Sequence, residues 1–289
     1  MPESTERVRV RKTYKLYIGG EFPRSESGRS YPVLGGDGDL LAHAAQASRK
    51  DVRDAVRAAR SAFGKWSTAT AYNRGQIMYR IAEMLDGRRE QFIAEVHDAE
   101  GGKRAKAEAQ VDAAIDRWVH YAGWADKYAQ VVGGTNPVAG PYFVFSLPEP
   151  TGVVGVIAPQ RSSLLGLVSV LAPVLTTGNT AVVLASEKHP LPAVSLTEVL
   201  ATSDLPGGVA NLLTGYTSEL SPWLASHRDV NAIDLAGVED ADRTALEIAA
   251  ADNVKRVLAH ANDDWSRAPG LQRLNAFVET KTVWHPIGV

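Results

Sequence analysis

Residues Gly152–Ser186 read GVVGVIAPQRSSLLGLVSVLAPVLTTGNTAVVLAS. The opening run to Pro159 is continuously apolar and rich in β-branched side chains, the signature of a strand buried on both faces. A polar break, Gln160–Ser163, leads into an apolar segment of helical length that stops at Gly178, where a glycine suits a helix C-terminus. A second apolar strand, TAVVLAS, follows. Strand, helix, strand in this order is a βαβ unit, which pairs its strands in parallel.

The same alternation continues downstream. A helix through PLPAVSLTEVLATS, the strand GVANLLTG, a helix over 217–226, the strand NAIDLAG, a helix over 240–251 and the strand KRVLAHA complete five apolar strands with intervening helices. The fold class is therefore α/β, a Rossmann-like doubly wound parallel sheet of about five strands, expected to offer a ligand crevice at the strands' carboxyl ends. The glycine fingerprint G-x-G-x-x-G is absent after the first strand, so spacing alone shows no dinucleotide site.

Upstream the texture is helical. Ser48 and Asp51 form a capping box ahead of Val52, Ala55, Val56, Ala59, Ala62 and Phe63, spaced at three and four. Further helices are expected around Ile77–Leu85, over 91–99 and over 108–128, with a hairpin or two short strands around Gly19-Gly20 in 14–34. The segment PYFVFSLPEP is extended but bracketed by Pro137, Pro141, Pro148 and Pro150, which suits an edge arm and not a central strand. Five spans follow: 1–136 as the N-terminal helical part, 137–150 as a β arm, 151–261 as the βαβ core, 262–275 as a linker, and 276–289 as a strand completing the arm.

The 289 residues carry 31 basic and 33 acidic side chains, a net charge near −2. No basic excess exists to neutralise phosphates, so no nucleic-acid role is expected. No apolar stretch reaches the ~20 residues of a membrane span, and the charged start MPESTERVRVRK lacks the apolar region of a signal peptide. A cytoplasmic location is expected. There is no cysteine, which excludes disulfides, thiolate ligands and a thiol nucleophile within this sequence. The seven histidines show no ligand spacing, so no metal is expected. Ser162-Ser163 reads as a helix cap.

Several segments resemble the aldehyde dehydrogenase family, and in that family's order: KLYIGGEF, DVRDAVRAARSAFGKW, AAIDRWVHYAGWADKY, EPTGVVGVIAP, LAPVLTTGNTAVVLASE, DLPGGVANLLTG and VETKTVWHPIG. The resemblance runs from about Lys15 to Gly288. It implies an NAD(P)-binding Rossmann domain, a catalytic domain with a nucleophilic cysteine, and a small β arm for oligomerisation. Residue by residue, it implies cofactor contacts at Pro159, Glu187 and Gly237. Against that pattern, Leu184 stands where a ribose-binding lysine is usual, and Val238 and Asp242 replace the small hydroxyl and glycine of the pyrophosphate turn. Arg161 occupies the place of the oxyanion-binding asparagine, and His260 falls in the segment that normally supplies the general base. Only Asn262–Asn275 joins the two strands between which the family places its catalytic domain.

From these departures follow the expectations of a pseudoenzyme: no catalytic residue, no cofactor or only weak NAD(P) binding, and no enzyme activity by itself. Phe143, Phe145, Phe277, Val283 and Trp284 are expected to form an arm surface that another chain covers. The expected partner is a full-length aldehyde dehydrogenase paralogue, with a homodimer as the variant. The alternatives are an oxidoreductase-family protein with residual NAD(P) binding, and an active aldehyde dehydrogenase.

Overall fold

The computed structural model describes residues 12–259 and 264–288. The chain opens with β1 (Thr13–Tyr14), β2 (Ser30–Leu34) and β3 (Leu40–Ala45), which form a small sheet in the order β1-β3-β2. The hairpin expected around Gly19-Gly20 is reduced to a single Ile18–Glu21 bridge, both glycines having positive φ. The main pairing partner of β2 is β3, a strand whose short, alanine-rich sequence carries little signal.

Helices follow: α1 (Arg49–Thr68), α2 (Ala71–Asp86), α3 (Arg89–Glu100), α4 (Arg104–Trp124) and α5 (Tyr128–Val132). The Ser48–Asp51 capping box is present, and Asp51 also accepts from Ser25 Oγ at 2.8 Å, tying the helix start to the preceding loop. The single helix expected over 108–128 is instead two, broken between Trp124 and Tyr128.

The five-stranded sheet comprises β6 (Val153–Ile157), β7 (Thr180–Leu184), β8 (Ala210–Leu213), β9 (Ala232–Asp234) and β10 (Arg256–Leu258). Its spatial order is β10-β9-β6-β7-β8 and every pair is parallel. The connecting helices are α6 (Leu165–Thr176), α7 (Leu191–Ala201), α8 (Thr217–Ser226) and α9 (Asp240–Ala251). Alternation decides which side chain meets which layer. Val154, Val156, Ala181 and Val183 pack with α2, α4, α6 and α7; Val153, Ile157, Val182 and Leu184 pack with α1 and α8. Gly155 lies under α8, where a Cβ would come within 2.9 Å of Leu224. One sheet edge is closed by Tyr17, which exchanges backbone hydrogen bonds with Leu212 at 2.9 and 2.7 Å. The other edge, β10, exposes Val257.

The arm is built from β4 (Gly134–Thr135), β5 (Tyr142–Pro150) and β11 (Val278–Pro286), in the order β11-β5-β4. It is three-stranded, one more strand than expected, because Gly134 and Thr135 pair with Ser146 and Phe145. β11 follows a short helix, α10 (Gln272–Ala276), that docks on α6.

The arm's expected contact surface needs one correction. Phe143 and Trp284 are exposed, at 47% and 58%, and Phe145 and Val283, partners in the register, are half-buried. Phe277 is fully buried in the core. It sits between α10 and β11, and its carbonyl accepts from Thr151 N at 3.2 Å and from Asn179 Nδ2 at 2.8 Å. Those bonds pin the strand's first turn to the main sheet, so the ring turns inward and not out with the arm.

Candidate functional site

The spatial order of the main sheet reverses between β6 and β9, and in open α/β sheets a crevice forms at the carboxyl ends of the strands at such a switch point. A cleft of about 600 Å³ lies there. One wall is the turn leaving β6, with Pro159, Gln160 and Arg161; the other is the turn leaving β9, with Gly237, Val238, Glu239 and Asp240. Asp264 and Trp265 border it as well.

The first wall is held from behind. Ser163 donates to the Glu100 carboxylate from both its amide and its hydroxyl, at 2.9 and 2.8 Å. Gln110 donates to the other Glu100 oxygen at 2.7 Å, and Ser162 Oγ donates to Gln110 at 3.2 Å and accepts from Gly166 N at 2.9 Å. The serines therefore have a structural role, although neither is the expected helix cap: the N-cap of α6 is Leu164, which makes no side-chain cap bond. Gln160 folds back on its own strand, donating to Ala158 O at 2.9 Å and accepting from Glu187 N at 2.9 Å. Arg161 projects into solvent at the cleft.

The second wall contains Gly237 for a reason internal to the fold. A Cβ there would lie 1.9 Å from the carbonyl oxygen of Ala158, so the two strand ends cross too closely for any side chain. Val238 borders the cleft but is largely buried with the core that includes Leu235 and Leu246. The amides of Gly237 and Val238 already donate to Ile157 O and Leu235 O, at 2.9 and 3.0 Å.

A strap from Asp264 to Phe277 closes this end of the sheet, more firmly than any motif in it announces. Asp234, fully buried at the end of β9, receives a charge-assisted hydrogen bond from Arg273. The Arg273 guanidinium lies 4.9 Å from the centre of the Trp265 ring. Buried Arg117 of α4 donates to Ser169 Oγ at 2.7 Å and to the carbonyls of Trp265 and Arg267 at 2.9 Å each; burial pulls its pKa down. Tyr128 Oη donates to Asn275 Oδ1 at 2.9 Å, and Leu274 is fully buried. Clues existed in the isolated tryptophan of a polar stretch and in an arginine on the apolar face of α4, but neither has a spacing that names its partner.

The residues present fit a dinucleotide poorly. Leu184 is buried in the core, paired with Ile157 and Leu213, and offers nothing to a ribose. Glu187 accepts from Thr217 N at 3.0 Å, serving the start of α8. The start of α9, where a helix N-terminus would favour a phosphate, carries Glu239, Asp240 and Asp242, and Asp240 is paired with Arg243 at 3.0 Å. Carboxylates thus occupy the positive end of the helix dipole. His260 lies outside the described residues. Among the described residues no group of acids and histidines could hold a metal, and no helix is long and apolar enough to cross a membrane.

Residues 24–261 match the aldehyde dehydrogenase family model. The chain belongs to that family. It is 35% identical over 248 residues to aldehyde dehydrogenase family 2 member B4, mitochondrial, of Arabidopsis thaliana, a match covering 84% of this chain and 45% of that one. It is 34% identical over 263 residues to human retinal dehydrogenase 2, covering 89% of this chain and 50% of that protein. Among solved structures, HpcC from Thermus thermophilus superposes with a TM-score of 0.81 at 32% identity, over 85% of this chain and 47% of that one. An NAD+ complex of aldehyde dehydrogenase from Bacillus cereus gives 0.82 at 27% identity, over 86% and 51%. The chain thus spans about half the length of the curated relatives it matches.

These relatives correct one expectation. They are named dehydrogenases, and a half-length match to enzymes does not make this aldehyde dehydrogenase-family chain a non-enzyme.

Proposed function

We propose that this chain is a subunit of an aldehyde dehydrogenase assembly, joined through its β arm to a full-length aldehyde dehydrogenase and serving a structural or regulatory part there. The observation that carries this reading is the arm's outer surface. β11 is a nine-residue edge strand, and the ring pair Tyr142–Trp284, with centroids 5.7 Å apart, is exposed beside Phe143. Long edges of this kind are covered in stable proteins. The sequence also holds no cysteine, so a thiolate used by the assembly belongs to the partner. Nucleotide binding by this chain is weak on this reading, because acids line the place of the phosphates.

The test is purification of the tagged chain from its own host, followed by native mass spectrometry and an aldehyde oxidation assay on each species recovered. A fixed-ratio complex with a full-length aldehyde dehydrogenase is the expected result. A stable monomer that keeps its arm ordered in water overturns the assembly; a homodimer replaces the partner with a second copy. Turnover by the chain alone returns the reading to an independent dehydrogenase.

A further inference from the structure

We propose that a second cleft, at the root of the arm, binds a small carboxylate with an apolar body, and that Arg74 holds it. This cleft shares no lining residue with the one at the switch point, and the inference does not depend on what covers the arm's outer surface.

The cleft holds about 480 Å³, within the range of small-molecule sites. Four parts of the chain meet in it: the junction of α1 and α2, the break between α4 and α5, the end of α6, and the base of the arm where Pro150 faces Val278. Phe63, Ala71, Ala129, Pro150 and Val278 give it apolar walls. Arg74, near the start of α2, is the one basic side chain among its described lining residues. The guanidinium is fixed in place. Its Nε donates to Thr176 O at 3.2 Å and its Nη1 to Ala69 O at 2.5 Å. It rests against the turn before β7, where a Cβ on Gly178 would lie 3.6 Å from Arg74 Cζ.

Two carbonyls position this cation but do not neutralise it. Among the described residues Arg74 has no ion pair, and its Nη2 has no protein acceptor, though that nitrogen is not sealed inside. The two acids bordering the cleft are placed otherwise: Glu149 is paired with Lys281 at 2.9 Å, and Asp126 is exposed at the rim. Burial alone acts on the pKa of Arg74 and pulls it down, as for a cation partly removed from water with no opposite charge beside it. A carboxylate entering the cleft supplies that charge, and its two oxygens match the planar fork of a guanidinium. The apolar walls favour a hydrocarbon body, while the acids at the rim oppose a doubly charged phosphate. The chemistry recognised is one carboxylate on a compact apolar group. Because Pro150 and Val278 belong to the base of the arm, such a ligand also ties that base to α2.

The test is a fluorine NMR titration of the purified chain with para-fluorobenzoate, set against para-fluorobenzyl alcohol and inorganic phosphate. The carboxylate is expected to saturate, and the alcohol to bind about tenfold more weakly, the scale of one charge-assisted hydrogen bond. Arg74→Leu should remove the preference for the carboxylate, while Arg74→Lys, which keeps the charge without the fork, should retain part of it. Ala129→Glu, at an exposed rim position that leaves both carbonyl bonds of Arg74 in place, should weaken carboxylate binding by about threefold; it keeps the test open should the Arg74 variants fail to fold. Bound carboxylate should also slow hydrogen exchange at the start of β11. Equal binding of the alcohol, or tighter binding of phosphate, overturns the proposal. So does the absence of saturable carboxylate binding at about 10 mM, well above a millimolar Kd, or an Ala129→Glu variant whose affinity is unmoved.

Discussion

The main sheet and the arm are both β structure, yet they solve opposite problems. Strands β6, β7 and β8 are buried along their whole length, with helices on both faces. In β5 only Val144 is fully buried among nine residues, and β11 has no fully buried residue. A sheet covered on both sides derives its stability from its own chain. A ribbon with rings facing water is stable only so far as its root is anchored, and its surface has meaning only against something else.

That contrast can be broken most sharply at the buried root and the exposed far part of the C-terminal ribbon. Phe277→Ala, at the buried root, should cost about 3–5 kcal/mol, as for other buried phenylalanines, read by denaturant unfolding. Arg273→Ala should cost about 1.5–3 kcal/mol, the value of a hydrogen bond to a charged group, and should loosen the strap in hydrogen exchange. Ser48→Ala should cost about 1 kcal/mol through loss of the α1 cap. Trp284→Ala, only seven residues from Phe277, should change the stability of the isolated chain by less than about 0.5 kcal/mol, yet should abolish fixed-ratio recovery with the partner. If it destabilises the isolated chain as much as Phe277→Ala does, the arm is part of the core and the distinction fails.

A pH series sharpens the comparison at the sheet's open side. Burial lowers the pKa of Lys255, just before β10, to about 8 from 10.5. Between those values the unfolded chain binds more protons than the folded one, so stability should rise with pH across that window and flatten below it. Lys255→Met should remove this rise in melting temperature and leave the rest of the profile unchanged.

The sheet was legible because buried parallel strands are written as continuous apolar runs, and α8 and α9 fall at the residues their spacing marks. β3 was not, since Leu40–Ala45 is short and poor in β-branched residues. The cleft's position followed from strand order, and Pro159, Arg161, Gly237 and Val238 do border it. Glu187, expected at a cofactor contact, supports the start of α8, and Leu184, expected where that contact is lost, fills the core. The strap was illegible because Asp234, Arg117 and Arg273 lie far apart in sequence, and a buried pair of that kind has no local pattern. Phe277 misled because aromatic residues near a strand look alike whether they face a partner or the core.

The carbonyl of Phe277, gripped by Thr151 and Asn179, makes the root of the arm a stiff joint. The arm leaves the sheet at a set angle, like a bracket bolted at its base. A partner of the kind proposed above would thus meet an arm whose base is tied to the main sheet by two hydrogen bonds made inside one chain.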